Sequence, residues 1–213
     1  DVSAVRRAFE TKFQIRASSE ADTQFAVSSV GPTFGAVIAR SALTAIIFSL
    51  IVIGGYVALR FGVKFAVPLL IALSHDLLIT LGVYALLGQE VSSATVAALL
   101  TILGFSLYDT IIVFDRVREN LPRMPRAAFS QIVNRSMSEV LTRSLATSLC
   151  TVLPVLALLL FGGSTLQDFA FALLVGTISG TYSSIFIAAP VLMLSKEREP
   201  IFRQRRARIL EEN

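Results

Sequence analysis

The chain holds one cysteine, one histidine and few charges, which make up 16% of its 213 residues. A lone cysteine forms no intrachain disulfide, and Cys150 lies inside an apolar run, so it says nothing about a redox compartment. One histidine and one cysteine cannot build a metal cluster, so neither a metal site nor a cofactor is expected. Residues 1–20 lack the basic-then-apolar form of a signal peptide. A soluble domain of this size carries about a quarter charged residues. This chain is 54% hydrophobic instead, with a mean hydropathy of +0.71, and its charges are bunched. That composition excludes an ordinary soluble globule and indicates a polytopic membrane protein.

A membrane span needs about 20 apolar residues to cross roughly 30 Å of hydrocarbon. Five stretches qualify: residues 41–59, 65–87, 93–114, 144–161 and 166–194. Basic residues then set orientation. Arg60 and Lys64 lie between the first two spans, and Arg116, Arg118, Arg123, Arg126, Arg135 and Arg143 between the third and fourth. A further basic set, from Lys196 to Arg208, follows the fifth. The alternate loops, 88–92 and 162–167, hold no basic residue. The C-terminus, with its basic tail 196–213, is therefore expected in the cytoplasm and the N-terminus outside. Arg6, Arg7, Lys12, Arg16 and Arg40 dissent, but the rule does not govern the end of a larger translocated domain. An outside N-terminus requires a span upstream, so a piece lacking its first helix is expected. The net charge of +4 is mostly this topology signal; split among membrane-flanking loops, it makes no nucleic-acid surface.

Residues 1–33 read as the end of a small α/β extracytoplasmic domain. Ser3 to Phe13 has helical periodicity, and Thr23 to Ser29 alternates like a strand. Gly31-Pro32 breaks the chain before the membrane domain, residues 34–195. Between the third and fourth spans, apolar Phe129, Ile132, Val133, Met137, Val140 and Leu141 recur at three and four. Gln131, Asn134, Arg135 and Glu139 take the other side. This is an amphipathic helix over about 127–141, lying on the inner interface and feeding the fourth span. Pro154 is expected to kink that span. In the fifth, Ala172, Gly176, Gly180, Ser184 and Ala188 form a seam of small residues at every fourth position, suited to close helix packing.

Asp109 is the residue that points to function. It stands near the end of the third apolar run, six residues before Asp115, so roughly 9 Å inside the helix end. A carboxylate at that depth costs at least a few kcal/mol and normally lines a pathway, a relay or a partner charge. It is a candidate proton acceptor, against the alternative of a structural charge satisfied by a neighbouring helix. Asp115, Arg116, Arg118, Glu119 and Asn120 cluster at the cytoplasmic boundary with spacings of three and four, so a local network is expected there. His75 and Asp76 stand mid-run in the second span as a candidate second proton site, or equally a packing contact. Arg143 opens the fourth span ahead of a polar stripe of Ser144, Ser148 and Thr151. It reads either as a counter-charge for Asp109 or as an interface-snorkelling arginine.

Several stretches together resemble one family: VGPTFG before the first span, ALSHDLLITLG in the second and LLTILGFSLYDTIIVFDRVREN in the third. TRSLATSL at the fourth and FGG…GTISGTYSSIFIAAP at the end complete the pattern. From about Val30 to Leu194 the chain resembles the SecF family of the bacterial Sec export machinery, a SecD/SecF branch of the resistance-nodulation-division superfamily. The resemblance implies an all-α membrane domain holding spans two to six of a six-helix half. It implies pseudo-symmetric pairing with SecD, association with the SecY channel, and use of the proton-motive force to help move secreted unfolded polypeptides across the plasma membrane. Protons would be the coupling ion, with membrane lipids around the helices and no enzymatic activity. Carried over, the family's pathway acid falls on Asp109 and its arginine on Arg143. The family pattern has Asn where Tyr108 stands here, a departure placed to alter hydrogen bonding around Asp109. One rival is a proton-driven small-molecule or lipid exporter of the same superfamily, disfavoured by short outer loops. The other is an intramembrane serine protease using His75, disfavoured because GxSG is missing: Leu107 follows Ser106.

Overall fold

The computed structural model describes residues 32–211, and the expected α/β segment lies outside them. The chain divides into two units, residues 1–40 and 41–213. Among the described residues every regular element is helical. They are α1 (Pro32–Phe61), α2 (Val63–Leu87), α3 (Ser93–Arg123), α4 (Phe129–Phe161), α5 (Gly163–Ser183), a π turn (Ser184–Ala188), α6 (Ala189–Glu197) and α7 (Pro200–Glu211). Five helical stretches are long and apolar enough to cross a membrane; α5, the π turn and α6 together make the fifth.

Local chemistry explains where the helices stop. Gly62 alone separates α1 from α2, at φ 101, a conformation that side chains rarely adopt. Gly88 closes α2 in the left-handed region. Ser92 caps α3 through a reciprocal box with Thr95, at 3.2 Å in both directions. The helix through Phe129 runs unbroken past Pro154 to Phe161, so the amphipathic segment and the fourth span are one element. A change of helix type occurs in the fifth span. Pro190 lacks an N–H, and its ring crowds the carbonyl four residues earlier. The π turn directly before it widens the backbone and absorbs that misfit.

Helices α2, α3 and α5 form the centre of the bundle, whereas α1 and α4 present long apolar faces outward, among them Phe48, Leu59, Leu149 and Leu160. The small-residue seam of the fifth span packs on α3. A Cβ on Gly176 would lie 2.1 Å from Ile102 Cδ1, and one on Gly180 would lie 3.2 Å from Ser106 Cβ. One turn on, Ser184 Oγ meets Thr110 Oγ1 at 2.9 Å. Ala172 joins Ala98 and Tyr84 in a small cluster at one end, and Ala188 is buried at the other. Both helices therefore advance along the contact in steps of four residues.

The end of the bundle that carries Phe65, Phe114 and Phe129 is closed by aromatic packing. Phe65 meets Phe114 edge-on at 5.4 Å, and Phe129 receives Phe202 of α7 at 4.9 Å. The basic tail is thus partly built into the fold. Glu199, just before α7, accepts hydrogen bonds from Lys64 at 2.7 Å and Lys196 at 2.9 Å. Partial burial pushes the Glu199 carboxyl up, but these two lysines outweigh it and hold it below its ordinary value.

Candidate functional site

Asp109 projects from α3 into the junction with α4 and the π turn, where its accessible surface falls to 2%. Ser144 of α4 donates its hydroxyl to Oδ1. Oδ2 is buried and has no hydrogen-bond partner. Ser184 lies beside the carboxyl, yet its one hydrogen is directed to the Gly180 carbonyl at 2.9 Å. The site thus offers a carboxyl with one oxygen held and the other open, among hydroxyl groups rather than charges. A further hydroxyl pair, Ser148 with Thr181 at 2.6 Å, joins α4 to α5 one turn away.

Arg143 is exposed and its neighbour Ser144 is the residue that meets Asp109, so the two family-pattern residues are not in contact here. Tyr108 is 55% exposed, and the hydrogen bond to the Asp109 carboxyl comes from Ser144 of α4 rather than from that aromatic.

Asp76 occupies a different environment. It is completely buried, and three serines converge on it: Ser106 from α3 at 2.6 Å and Ser183 at 2.8 Å on Oδ2, with Ser179 at 3.0 Å on Oδ1. His75 Nδ1 stands 3.3 Å from Oδ1 with its ring partly exposed near Tyr182. Both oxygens of this carboxyl have partners. The close approach at Gly180, whose added Cβ would sit 3.7 Å from Asp76 Oδ2, leaves room for the cage. Ser106, Ser179 and Ser183 are the members that composition hides, because serine is common in membrane helices and none of the three stands out alone, whereas Ser144 belongs to the polar stripe of the fourth span.

At the end of α3 the network forms around a residue on the other helix. Glu139 of α4 accepts from Arg116 Nε at 2.7 Å, Asn120 Nδ2 at 2.9 Å and Arg135 Nε at 2.6 Å. Asn120 also reaches Ser136 Oγ at 3.0 Å. Glu119 pairs with Arg116 at 2.6 Å and Arg123 at 2.8 Å, while Arg118 donates to the Arg60 carbonyl. Asp115 is exposed and takes no part in the ion pairs of this cluster, so of the five residues expected to form a local network it is the one left out. The physical reason is that Glu139 gathers three donors across α3 and α4, an arrangement that i,i+3 and i,i+4 spacing within α3 cannot reveal.

Comparison with known proteins fits this arrangement. The family model for the protein export membrane protein SecD/SecF, C-terminal, matches residues 10–198. The SecDF protein translocase subunit of Thermus thermophilus is 46% identical over 176 residues, covering 83% of this chain and 24% of that protein. SecF of Thermodesulfovibrio yellowstonii is 42% identical over 170 residues, covering 79% and 56%. A crystal structure of SecDF in its super-membrane-facing form superposes with a TM-score of 0.74 at 39% identity, covering 99% of this chain and 27% of that one. The chain thus spans about a quarter to just over half of the length of these relatives. By motif, five-helix architecture and family match, it belongs to the C-terminal SecD/SecF family of protein export membrane proteins.

Proposed function

We propose that this chain is the membrane part of a SecF-type subunit that uses the proton-motive force to assist protein export, with Asp109 as the proton carrier. The observation that carries the reading is the Asp109 carboxyl, buried at a three-helix junction with Oδ1 hydrogen-bonded and Oδ2 open. A buried, unpaired carboxylate costs more than the neutral acid, and a proton arriving on Oδ2 removes that charge. Membership of the export family supports the choice of process.

In this reading Arg143 is the counter-charge. It precedes Ser144 by one residue, about 100° around α4. A rotation of α4, shortened by the reach of the long arginine side chain, exchanges a neutral hydroxyl for a guanidinium at Asp109, giving two arrangements selected by protonation. Movement of α4 relative to α3 would then pass outward to an extracytoplasmic domain, with the C-terminus in the cytoplasm of a bacterial inner membrane. SecD is the expected partner half, since fused SecDF relatives carry both names, and SecY with unfolded secreted chains completes the assembly. The role is that of a translocase accessory rather than an enzyme, with protons as the coupling ion and no bound cofactor.

The test is Asp109→Asn in the full-length protein, scoring export of a secreted reporter with and without a proton gradient. Loss of the gradient-dependent part at normal membrane level is expected; unchanged export overturns the reading.

A further inference from the structure

Two buried acids in this bundle are served by adjacent residues of one peptide. Ser183, the last residue of α5, donates to Asp76 Oδ2 at 2.8 Å. Ser184, the first residue of the π turn, lies beside Asp109 and shares a 2.9 Å hydrogen bond with Thr110, the residue after Asp109. The backbone changes from α to π between them. We infer that Asp76 is a positioning residue for the Asp109 site: its serine cage clamps Ser183, and through the Ser183–Ser184 peptide it fixes where the Ser184 hydroxyl stands beside the Asp109 carboxyl. This rests on the reading of Asp109 as the proton carrier.

The contrast between the two carboxyls supports the division of labour. Asp76 has partners on both oxygens from three helices, counting His75 on its own, and no accessible surface. Such a fully satisfied buried group rigidifies and specifies one arrangement. Asp109 has one oxygen held and one open. Of the charged groups in the bundle, Lys64, His75 and Asp76 lie on α2, Arg135, Glu139 and the exposed Arg143 on α4, and Asp115, Arg116, Arg118, Glu119 and Arg123 further along α3, and the one side-chain donor to Asp109 is the neutral Ser144. The fifth span contributes none between Asp168 and Lys196. Besides the Ser144 donor, the hydroxyl beside this carboxyl is that of Ser184, and its placement is what the Asp76 cage controls.

The experiment uses the full-length protein with its partner subunits in native membranes. Dicyclohexylcarbodiimide, which reacts with protonated carboxyls in apolar surroundings, is applied across a pH series. The modified fraction of the Asp109 peptide is read by mass spectrometry, a ratio independent of protein amount. Ser183→Ala removes the link to Asp76 and keeps Ser184. Ser179→Ala removes a donor from the other Asp76 oxygen, one turn from the π junction. The labelling midpoint of Ser183→Ala is expected to move by about half a pH unit or more, the size of one neutral hydrogen bond, and that of Ser179→Ala by less. A Ser183→Ala midpoint equal to wild type, or equal shifts in both variants, overturns the inference. A wild-type Asp109 that never labels at any pH removes the proton-carrier reading, and the inference with it, which is a different result from an unmoved midpoint.

Discussion

Gly176 faces Ile102 so closely that a methyl group on it would sit 2.1 Å from Ile102 Cδ1 and 2.9 Å from Cγ2. No real contact is that short, so Gly176→Ala forces either Ile102 or the α3–α5 crossing to move. Overpacking of this kind costs about 1–3 kcal/mol. Thermal melting in detergent should show the loss, and Ile102→Val in the same chain should restore part of it. Gly104→Ala, with open space around its Cβ position, is the matched control and should leave melting unchanged.

Ser144→Ala should weaken proton coupling less than Asp109→Asn does. It strips the hydroxyl from Oδ1 and leaves the whole carboxyl without its one direct donor, a penalty of about 1–3 kcal/mol. Gradient-dependent export should therefore persist at a reduced rate with an altered pH profile. An unaltered pH profile would mean that Ser144 does not hold the carboxyl during turnover.

Asn120 is buried, and its amide links Ser136 to Glu139 across α3 and α4. Asn120→Ala leaves both acceptors short of a donor and should cost about 1–3 kcal/mol of stability. A double-mutant cycle with Ser136→Ala isolates their share, since residues in one network are not additive.

Glu199 makes the docking of α7 depend on pH. Its folded-state value is held below the ordinary one by Lys64 and Lys196. The stabilisation is therefore present above the ordinary carboxylate range, near pH 4.3, and is lost as pH falls through the depressed value. Wild type and Glu199→Gln should differ in proteolytic protection of α7 at neutral pH and converge in acid. A difference that stays constant across that range would remove Glu199 from the account.

The five spans and the family were legible in the sequence because both rest on long patterns: runs of apolar residues and an ordered string of acids, bases and asparagine in the third span. Ser144 was legible as the head of a polar stripe, but the hydroxyl partners of Asp76 were not. Ser106, Ser179 and Ser183 become meaningful only when α2, α3 and α5 bring them to one point. Glu139 was assigned to the solvated side of an amphipathic helix, since periodicity sorts polar from apolar but cannot tell water from a neighbouring Arg116. Pro190 did carry a signal for the π turn, because a proline deep in a helix demands some local adjustment. Which adjustment the backbone chose depended on the packing of Ser184 and Ala188 against the centre of the bundle.

The π turn also settles a question of phase. On an α-helix, residues four apart overshoot a full revolution by about 40°. Five positions so spaced would spiral through about 160° and could not all face one straight neighbour. Yet Ala172, Gly176, Gly180, Ser184 and Ala188 are all buried. A turn closed by i→i+5 bonds takes more than four residues to complete its circle. The step from Ser184 to Ala188 therefore falls short of a revolution instead of exceeding it, and turns Ala188 back toward the line set by the others. The wide turn acts as a vernier, cancelling drift accumulated over the length of the span and keeping its last small residue on the central face of the bundle.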